Sequence, residues 1–197
     1  MAENPKELTV PDAAAWRAWL EGNHAREAGV WLTLARKGVV EPTSLTYAQA
    51  LDEALCFGWI DATARGGDGA TYRQRFTPRR RRSPWSKRNV GIVQRLIDEG
   101  RMHAGGLAAV AAAKADGRWD AAYAGSATIE VPADLGAALD AHPAARDTFA
   151  GLSSQNRFAI LYRIGGVKRA QTRERKIAEY VAMLARGETI YPQRPRS

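Results

Sequence analysis

Apolar side chains recur along the chain with two spacings, and each spacing predicts its own kind of element. A spacing of three and four residues marks the first helix, which Pro11 and Asp12 open and Gly22 and Asn23 end. Its apolar stripe consists of Ala15, Trp16, Trp19 and Leu20. We expect this stripe to pack in a core, and we expect residues 1–10 to be loose.

The clearest helix prediction lies in the middle of the N-terminal half. Thr46 can act as N-cap, Gln49 three residues later completes a capping box, and Gly58 is placed to end the helix. The apolar face is formed by Tyr47, Ala50, Leu51, Ala54 and Leu55. Gln49, Asp52 and Glu53 are predicted to point away from that face.

Three short segments predict strands: residues 30–36, 58–63 and 71–77. In the third segment an apolar and a cationic set alternate, namely Tyr72, Gln74 and Phe76 against Arg73, Arg75 and Thr77. A period of two is typical of a half-buried strand with one face toward a core. We therefore predict an α+β fold, with a small antiparallel sheet and flanking helices in the N-terminal half.

After Met102 the pattern predicts helices throughout. Leu107, Val110 and Ala111 are expected to line the first of them. A loop-rich stretch then separates two parts, so we expect an α/β part with a basic central segment at 1–125 and an all-helical part at 126–197. The two parts could also pack as one domain.

Positive charge is concentrated in one segment. The 197-residue chain carries 29 lysines and arginines against 21 acidic residues, a formal net charge of +8. Residues 71–102 hold ten of these cations but only two acids, Asp98 and Glu99, so this segment accounts for the whole excess. It is either a surface that attracts an anionic small molecule, an acidic protein surface or nucleic acid, or a solvated arginine-rich face.

The sequence also indicates a compartment. No apolar run approaches the ~20 residues that a transmembrane helix needs, and the N-terminus lacks the pattern of a secretory signal. Cys56 is the only cysteine, which excludes an internal disulfide and favours a reducing environment. We therefore expect a cytoplasmic protein, of an oligomeric state that the sequence does not indicate.

Few residues are placed for catalysis. His24, His103 and His142 belong to no cluster with the spacing of metal ligands, so no metal site is expected. Cys56 continues the apolar face of a helix and is interpreted as a small buried residue rather than a nucleophile. The glycine-rich loop 66–69 lacks the Gly-Lys-Ser/Thr of a phosphate-binding loop. We expect no cofactor, name no catalytic residue and regard an enzyme as the less favoured interpretation.

One polar constellation supports a ligand-binding hypothesis. If strand 58–63 pairs with strand 71–77, Asp61 could lie opposite an arginine and hold its guanidinium group. The other arginines and the start of the following helix would then receive an anionic group; the alternative is a salt bridge that only supports the sheet. The candidate residues are Trp59, Asp61, Arg73, Arg75, Arg79, Arg80, Trp85, Ser86 and Asn89.

Several stretches carry a resemblance to a known family. They read LTYAQALDEALCFGWIDA, QRFTPRRRRSPWSKRN and GRMHAGG, and later SSQNRFAILYRIGGVKRAQTRERKIAEYV followed by LARGE. From about Trp31 to Gly187 the chain resembles the bacterial YdeI/OmpD-associated family, also called the bacteriocin-protection family. The resemblance implies a link to the envelope, to stress tolerance or to protection against antimicrobial peptides or bacteriocins.

Three functional hypotheses follow. The first is a non-catalytic accessory protein that binds an anionic partner through residues 73–89. The second is a nucleic-acid-binding module, favoured by arginines interleaved with Phe76 and Trp85. The third is an enzyme acting on a small anionic substrate, which depends on the pocket between Asp61 and an arginine.

Overall fold

The computed structural model describes residues 6–193. The chain divides into two compact units, residues 1–122 and 123–197, and each has its own apolar core. Whether the two parts are separate domains divided after residue 125 stays a prediction.

A four-stranded sheet forms one layer of the first unit. Its strands are β1 (Lys6–Leu8), β2 (Val30–Ala35), β3 (Trp59–Arg65) and β4 (Thr71–Pro78), in the order β1-β2-β4-β3. β4 pairs antiparallel with both β2 and β3, which confirms the α+β class and the three predicted strands.

The strand β1 corrects the prediction that the first ten residues are loose. Lys6, Glu7 and Leu8 pair in parallel with the beginning of β2. Three residues are too few for an alternating pattern to be recognised, so the sequence carried no signal for this edge strand. The first five residues of that prediction lie outside the described part of the chain.

Four helices complete the first unit, and a side chain caps the start of each. They are α1 (Ala13–Asn23), α2 (Tyr47–Cys56), α3 (Lys87–Asp98) and α4 (Ala104–Ala115). The caps are Asp12, Thr46, Ser86 and His103. The predicted capping box of α2 is confirmed, since Thr46 and Gln49 each accept a backbone N–H from the other.

The two sides of the sheet differ in chemistry. Leu32 and Phe76 are fully buried in the core on one side. Because side chains alternate along a strand, Arg75 and Thr77 lie on the opposite side, with Trp31 directly across from Arg75. The cationic row of β4 therefore points away from this core.

The helix α4 packs through a face that differs from the predicted one. Leu107 is 45% exposed and Ala111 is also exposed. The buried positions are Gly106, Val110 and Ala113. A Cβ at Gly106 would overlap the backbone carbonyl of Cys56, so the absence of a side chain lets α4 lie against the end of α2.

The regular elements of the second unit are helices in its described part, which confirms the all-helical prediction. They are α5 (Ala133–Asp140), α6 (Pro143–Ala150), α7 (Ser154–Gly165) and α8 (Ala170–Ala185). Leu135, Ile160, Ile164 and Leu184 are fully buried between them. Within residues 6–193, no helix combines the length and the apolar character that crossing a membrane would require.

Candidate functional site

Two of the nine predicted site residues, Trp59 and Trp85, are core residues. Their side chains are 1% and 2% exposed. The Trp59 indole N–H donates to the backbone carbonyl of His24 at 3.1 Å, and the Trp85 ring packs against Trp119. Both tryptophans therefore stabilise the fold, and neither forms an open aromatic wall.

Asp61 lies opposite a phenylalanine and bonds to a tyrosine, not to an arginine. In the register of β3 with β4 its partner is Phe76, and the Tyr47 hydroxyl donates to Asp61 Oδ2 at 2.9 Å. Burial, followed by the negative charge of Asp61, raises the pKa of Tyr47 to about 12. This hydrogen bond replaces the proposed grip of Asp61 on a guanidinium group.

An open groove of about 580 Å³ lies beside β3 and β4. It is lined by Ala28, Ile60, Ala62, Arg75, Thr77, Pro78, Arg80 and Ser83, and we call it the cationic groove. Among residues 6–193, the lining contributes two guanidinium groups, two hydroxyls and no carboxylate. Its volume is in the range of sites that take small ligands.

The strand register determines which side chains of β3 and β4 form the floor of the cationic groove. Arg75 and Thr77 are two residues apart on β4 and so share one side of the sheet. Ile60 lies directly across from Thr77 on β3. A shift in the register follows between Asp61 and Ala64, a type of irregularity that re-aims neighbouring side chains.

Arg79 braces the loop that follows β4. Its guanidinium group stacks on the Trp85 ring at 3.7 Å and donates to the Pro84 carbonyl at 3.2 Å. Its backbone N–H donates to the Gly58 carbonyl at 2.9 Å. Arg79 is thus a structural residue, although it heads the arginine run.

A turn brings Arg80 and Ser83 to the cationic groove together. The Arg80 N–H donates to Ser83 Oγ at 3.1 Å, and the Ser83 N–H donates to the Arg80 carbonyl at 2.9 Å. Arg118 fixes this turn from outside by donating to the Ser83 carbonyl at 3.0 Å. Since Ser83 Oγ accepts in the turn, its own O–H can donate to a ligand. Arg81 and Arg82 between them are exposed.

Gly29 allows β2 to approach the cationic groove closely. Its φ is +140°, a conformation that side-chain-bearing residues rarely adopt. A Cβ there would lie 2.8 Å from Thr77 Cγ2 and 3.5 Å from Arg75 Nη2. Glycine at this position therefore leaves room for the two groove side chains.

Beyond the groove, the same side of the sheet holds further arginines. The Arg65 guanidinium group lies 3.9 Å from the Trp31 ring, which is 5% exposed. Arg73 pairs with Glu7 at 3.3 Å, so its charge is partly compensated. Neither arginine lines the cationic groove.

Ser86 and Asn89 form the start of α3 and do not line the cationic groove. Ser86 Oγ accepts the backbone N–H of Asn89 at 3.1 Å, and Asn89 is 8% exposed. Ser86 is thus the N-cap of α3. Of the predicted set, only Arg75 and Arg80 line the cationic groove.

The thiol of Cys56 and the imidazoles of His24 and His103 lie in the first unit and do not line the cationic groove. Burial, followed by the charge of Glu53, raises the pKa of the Cys56 thiol, which is fully buried as predicted. The rings of His24 and His103 contact each other with centroids 4.8 Å apart. Among residues 6–193, no three His, Cys, Asp or Glu side chains are grouped to hold a metal ion.

The second unit has a cavity of about 480 Å³. Its lining is mainly apolar, with Asp134, His142, Arg173 and Glu174 among the members. Arg173 is held by an ion pair with Asp134 and donates to the Ile164 carbonyl at 2.8 Å. Because this cation is already paired, we expect an anion to bind less favourably in this cavity than in the cationic groove.

The predicted set of site residues does not include the groove residues Ala28, Ile60, Ala62, Thr77, Pro78 and Ser83. Alternation along β4 already placed Thr77 beside Arg75, so a signal for Thr77 was present. The position of Ile60 depends on the strand register, and that of Ser83 on the four-residue turn from Arg80 to Ser83. Neither can be derived from periodicity.

Two family models match the chain. Residues 8–109 match a domain of unknown function (DUF8412), and residues 128–187 match the family described as bacteriocin-protection, YdeI or OmpD-associated. The second match confirms the family resemblance over residues 128–187. No curated protein and no solved structure matches. Since the first match spans more than half of the chain, this protein belongs to the DUF8412 family, and it carries a YdeI/OmpD-associated region at residues 128–187.

Proposed function

We propose that this protein is a non-catalytic accessory protein whose first unit binds an anionic group in the cationic groove. One observation carries the proposal: Arg75 and Arg80 line a single cavity together with the hydroxyl residues Thr77 and Ser83, and no carboxylate from the described part of the chain lines it. Guanidinium groups and hydroxyls are donors that match phosphate, sulfate and carboxylate oxygens.

Several other arginines of residues 71–102 are engaged within the protein. Arg73 and Arg95 are engaged with carboxylates, and Arg79 stacks on Trp85. An anion that enters the groove brings charge to Arg75 and Arg80 without displacing a protein carboxylate from its lining. We therefore expect charge-assisted hydrogen bonds to supply the binding energy.

We place this binding activity in a stress-related or bacteriocin-related context in the cytoplasm. The description of the family that matches residues 128–187 supports the bacteriocin link. The single cysteine is a buried free thiol, which suits a reducing compartment. Fractionation of cells that produce the protein would test the location, and recovery outside the cytoplasm would contradict it.

Titration calorimetry with inorganic phosphate at low ionic strength tests the binding proposal. The Arg75→Ala/Arg80→Ala double variant should bind at least about tenfold more weakly, because each lost charge-assisted bond contributes roughly 1.5–3 kcal/mol. The matched control is Arg81→Ala/Arg82→Ala, which removes the same charge from exposed positions. Equal weakening in the two variants would mean that net charge, rather than the groove, attracts the anion.

The nucleic-acid hypothesis loses the aromatic contacts that motivated it. Phe76 is fully buried and Trp85 is 2% exposed, so neither can stack on a base. A labelled single-stranded DNA or RNA added to the same variants provides the check. Binding that depends on Arg81 and Arg82 but not on the groove would replace the small-anion proposal with this one.

The enzyme hypothesis depended on an acid within the arginine pocket. Asp61 bonds to Tyr47 and does not line the cationic groove. The groove residues that the structure describes therefore supply binding groups but no carboxylate for proton transfer. This arrangement favours the accessory role over catalysis.

A further inference from the structure

We propose that the ligand of the cationic groove is a small organic anion in which the charged head is joined to a compact apolar body. This inference deepens the proposed function and rests on it. It concerns the half of the groove lining that carries no charge.

The polar and apolar groups of the cationic groove are segregated. The donors Arg75 and Thr77 come from β4, and Arg80 and Ser83 come from the turn after it. The apolar side chains Ala28, Ile60 and Ala62 come from the neighbouring strand β3 and from the segment leading into β2.

The strand order determines where the polar and apolar side chains of the groove lie relative to each other. β4 lies between β2 and β3, so its polar row runs down the middle with apolar side chains on both flanks. Ile60 is in register with Thr77, which places an apolar side chain directly beside the donor row. The two alanines are short and leave space above the flanks.

A bare inorganic anion would use only part of such a site. It would contact the donor row and leave Ile60 and Ala62 facing water in a groove of about 580 Å³. An aryl or alkyl group attached to the anion would remove apolar surface on both sides from water, which is favourable in proportion to the area buried. The shared chemistry is an organic phosphate or carboxylate with a body of about benzene size.

Titration calorimetry with four probes tests this inference. The probes are inorganic phosphate, phenyl phosphate, acetate and benzoate. We expect each aromatic anion to bind about tenfold more tightly than its small counterpart, with the two pairs showing which head is preferred.

Two variants locate the apolar contribution. Ile60→Ala removes the apolar flank and should reduce the advantage of phenyl phosphate over inorganic phosphate from about tenfold to about threefold. Ile60 also packs against the core, so Ala62→Leu at an exposed position provides a second variant. Leucine would occupy the space of the aromatic body and should also reduce the advantage.

The outcomes distinguish a failure of this inference from a failure of the proposed anion binding. Equal affinities for phosphate and phenyl phosphate, or an advantage that persists in both variants, would overturn the inference and leave anion binding intact. Failure of all four anions to bind would overturn both. Binding of benzyl alcohol as tight as that of phenyl phosphate would show that the charged head is dispensable and would overturn the proposed function.

Discussion

Glu53 is a carboxylate withdrawn from solvent and held by two arginines that are distant in the sequence. Its side chain is 9% exposed, Arg17 Nη1 donates to Oε2 at 2.8 Å, and Arg101 Nη2 donates to Oε1. The hydrogen bond with Glu53 is also the largest cause that raises the pKa of Arg17. Because both arginines remain partly solvated, they neutralise the carboxylate without being buried themselves.

Glu53→Gln should therefore lower the free energy of unfolding by about 2–3 kcal/mol, since a buried amide cannot satisfy both cations. Urea denaturation measures this change. Glu21→Gln is the matched control, because Glu21 also pairs with Arg17 but is 58% exposed. The control should change stability by less than about 1 kcal/mol, as is usual for surface pairs. Similar losses in the two variants would contradict the distinction.

The hydrogen bond from Tyr47 to Asp61 predicts a dependence of stability on alkaline pH. The pKa of Tyr47 is raised from 10.0 to about 12 in the folded chain, so the unfolded chain releases this proton first as the pH rises. The contribution of Tyr47 is complete below pH 10 and decreases between pH 10 and 12. Tyr47→Phe should therefore flatten this part of the stability curve, as measured by denaturation at each pH. Parallel curves for the two proteins would contradict the assignment.

At the residue scale, local capping was predictable from the sequence and long-range pairing was not. Thr46 and Gln49 are three residues apart, so their capping box can be recognised from the local sequence. Glu53 was predicted to point toward solvent because helical periodicity says nothing about partners elsewhere in the chain. Its arginines come from α1 and from the loop after α3, which only the fold brings together.

Glycines control how closely elements approach in the first unit. Gly106 in α4 lies against the Cys56 carbonyl, and its hypothetical Cβ also meets the Met102 side chain at 2.8 Å. Gly91 in α3 has nothing within 4 Å of its Cβ position. These two helical glycines therefore test packing and helix propensity separately.

Gly106→Ala should destabilise the protein by about 1–3 kcal/mol, because α4 must move away from the end of α2. Gly91→Ala should stabilise it by about 0.5–1 kcal/mol, because alanine is the better helix former and meets no neighbour. Thermal unfolding of both variants gives the two signs. A stabilising Gly106→Ala would show that the contact between α4 and α2 is loose.

At the element scale, periodicity predicted the elements that have one clear apolar face. The alternation of residues 72–77 and the stripe of α2 each correspond to an element of the fold. The buried face of α4 was not predictable, because alanines occur on every side of this helix. Gly106 determines which side packs against the end of α2. The edge strand β1 was missed because its three residues form no pattern.

At the scale of the whole molecule, the positive charge is concentrated in one segment, but its arginines have different surroundings. The arginine run that dominates the sequence divides into Arg79 on Trp85, Arg80 in the cationic groove, and Arg81 and Arg82 in solvent. Composition predicted an anion-attracting segment, and the turn between Arg80 and Ser83 decides which arginine reaches the groove. Consecutive residues point in different directions, so a count of charges could not identify that arginine.

Salt dependence follows at the scale of the whole molecule. The net charge of +8 attracts any anion at long range, and this attraction falls as the Debye length shortens from about 30 Å at 0.01 M to about 10 Å at 0.1 M salt. Each cationic contact with the anion adds to the salt dependence of binding. Raising sodium chloride should therefore weaken phosphate binding more steeply in the wild type than in Arg75→Ala/Arg80→Ala, as calorimetry would show. Equal slopes would indicate diffuse attraction only.

The most direct measurement is a crystal structure with selenate, an anion whose anomalous scattering identifies it without ambiguity. We expect a selenate in the cationic groove, with oxygens about 2.7–3.2 Å from nitrogens of Arg75 and Arg80. Selenate bound only at Arg81, Arg82 or other surface arginines, with the groove empty at saturating concentration, would contradict the central claim.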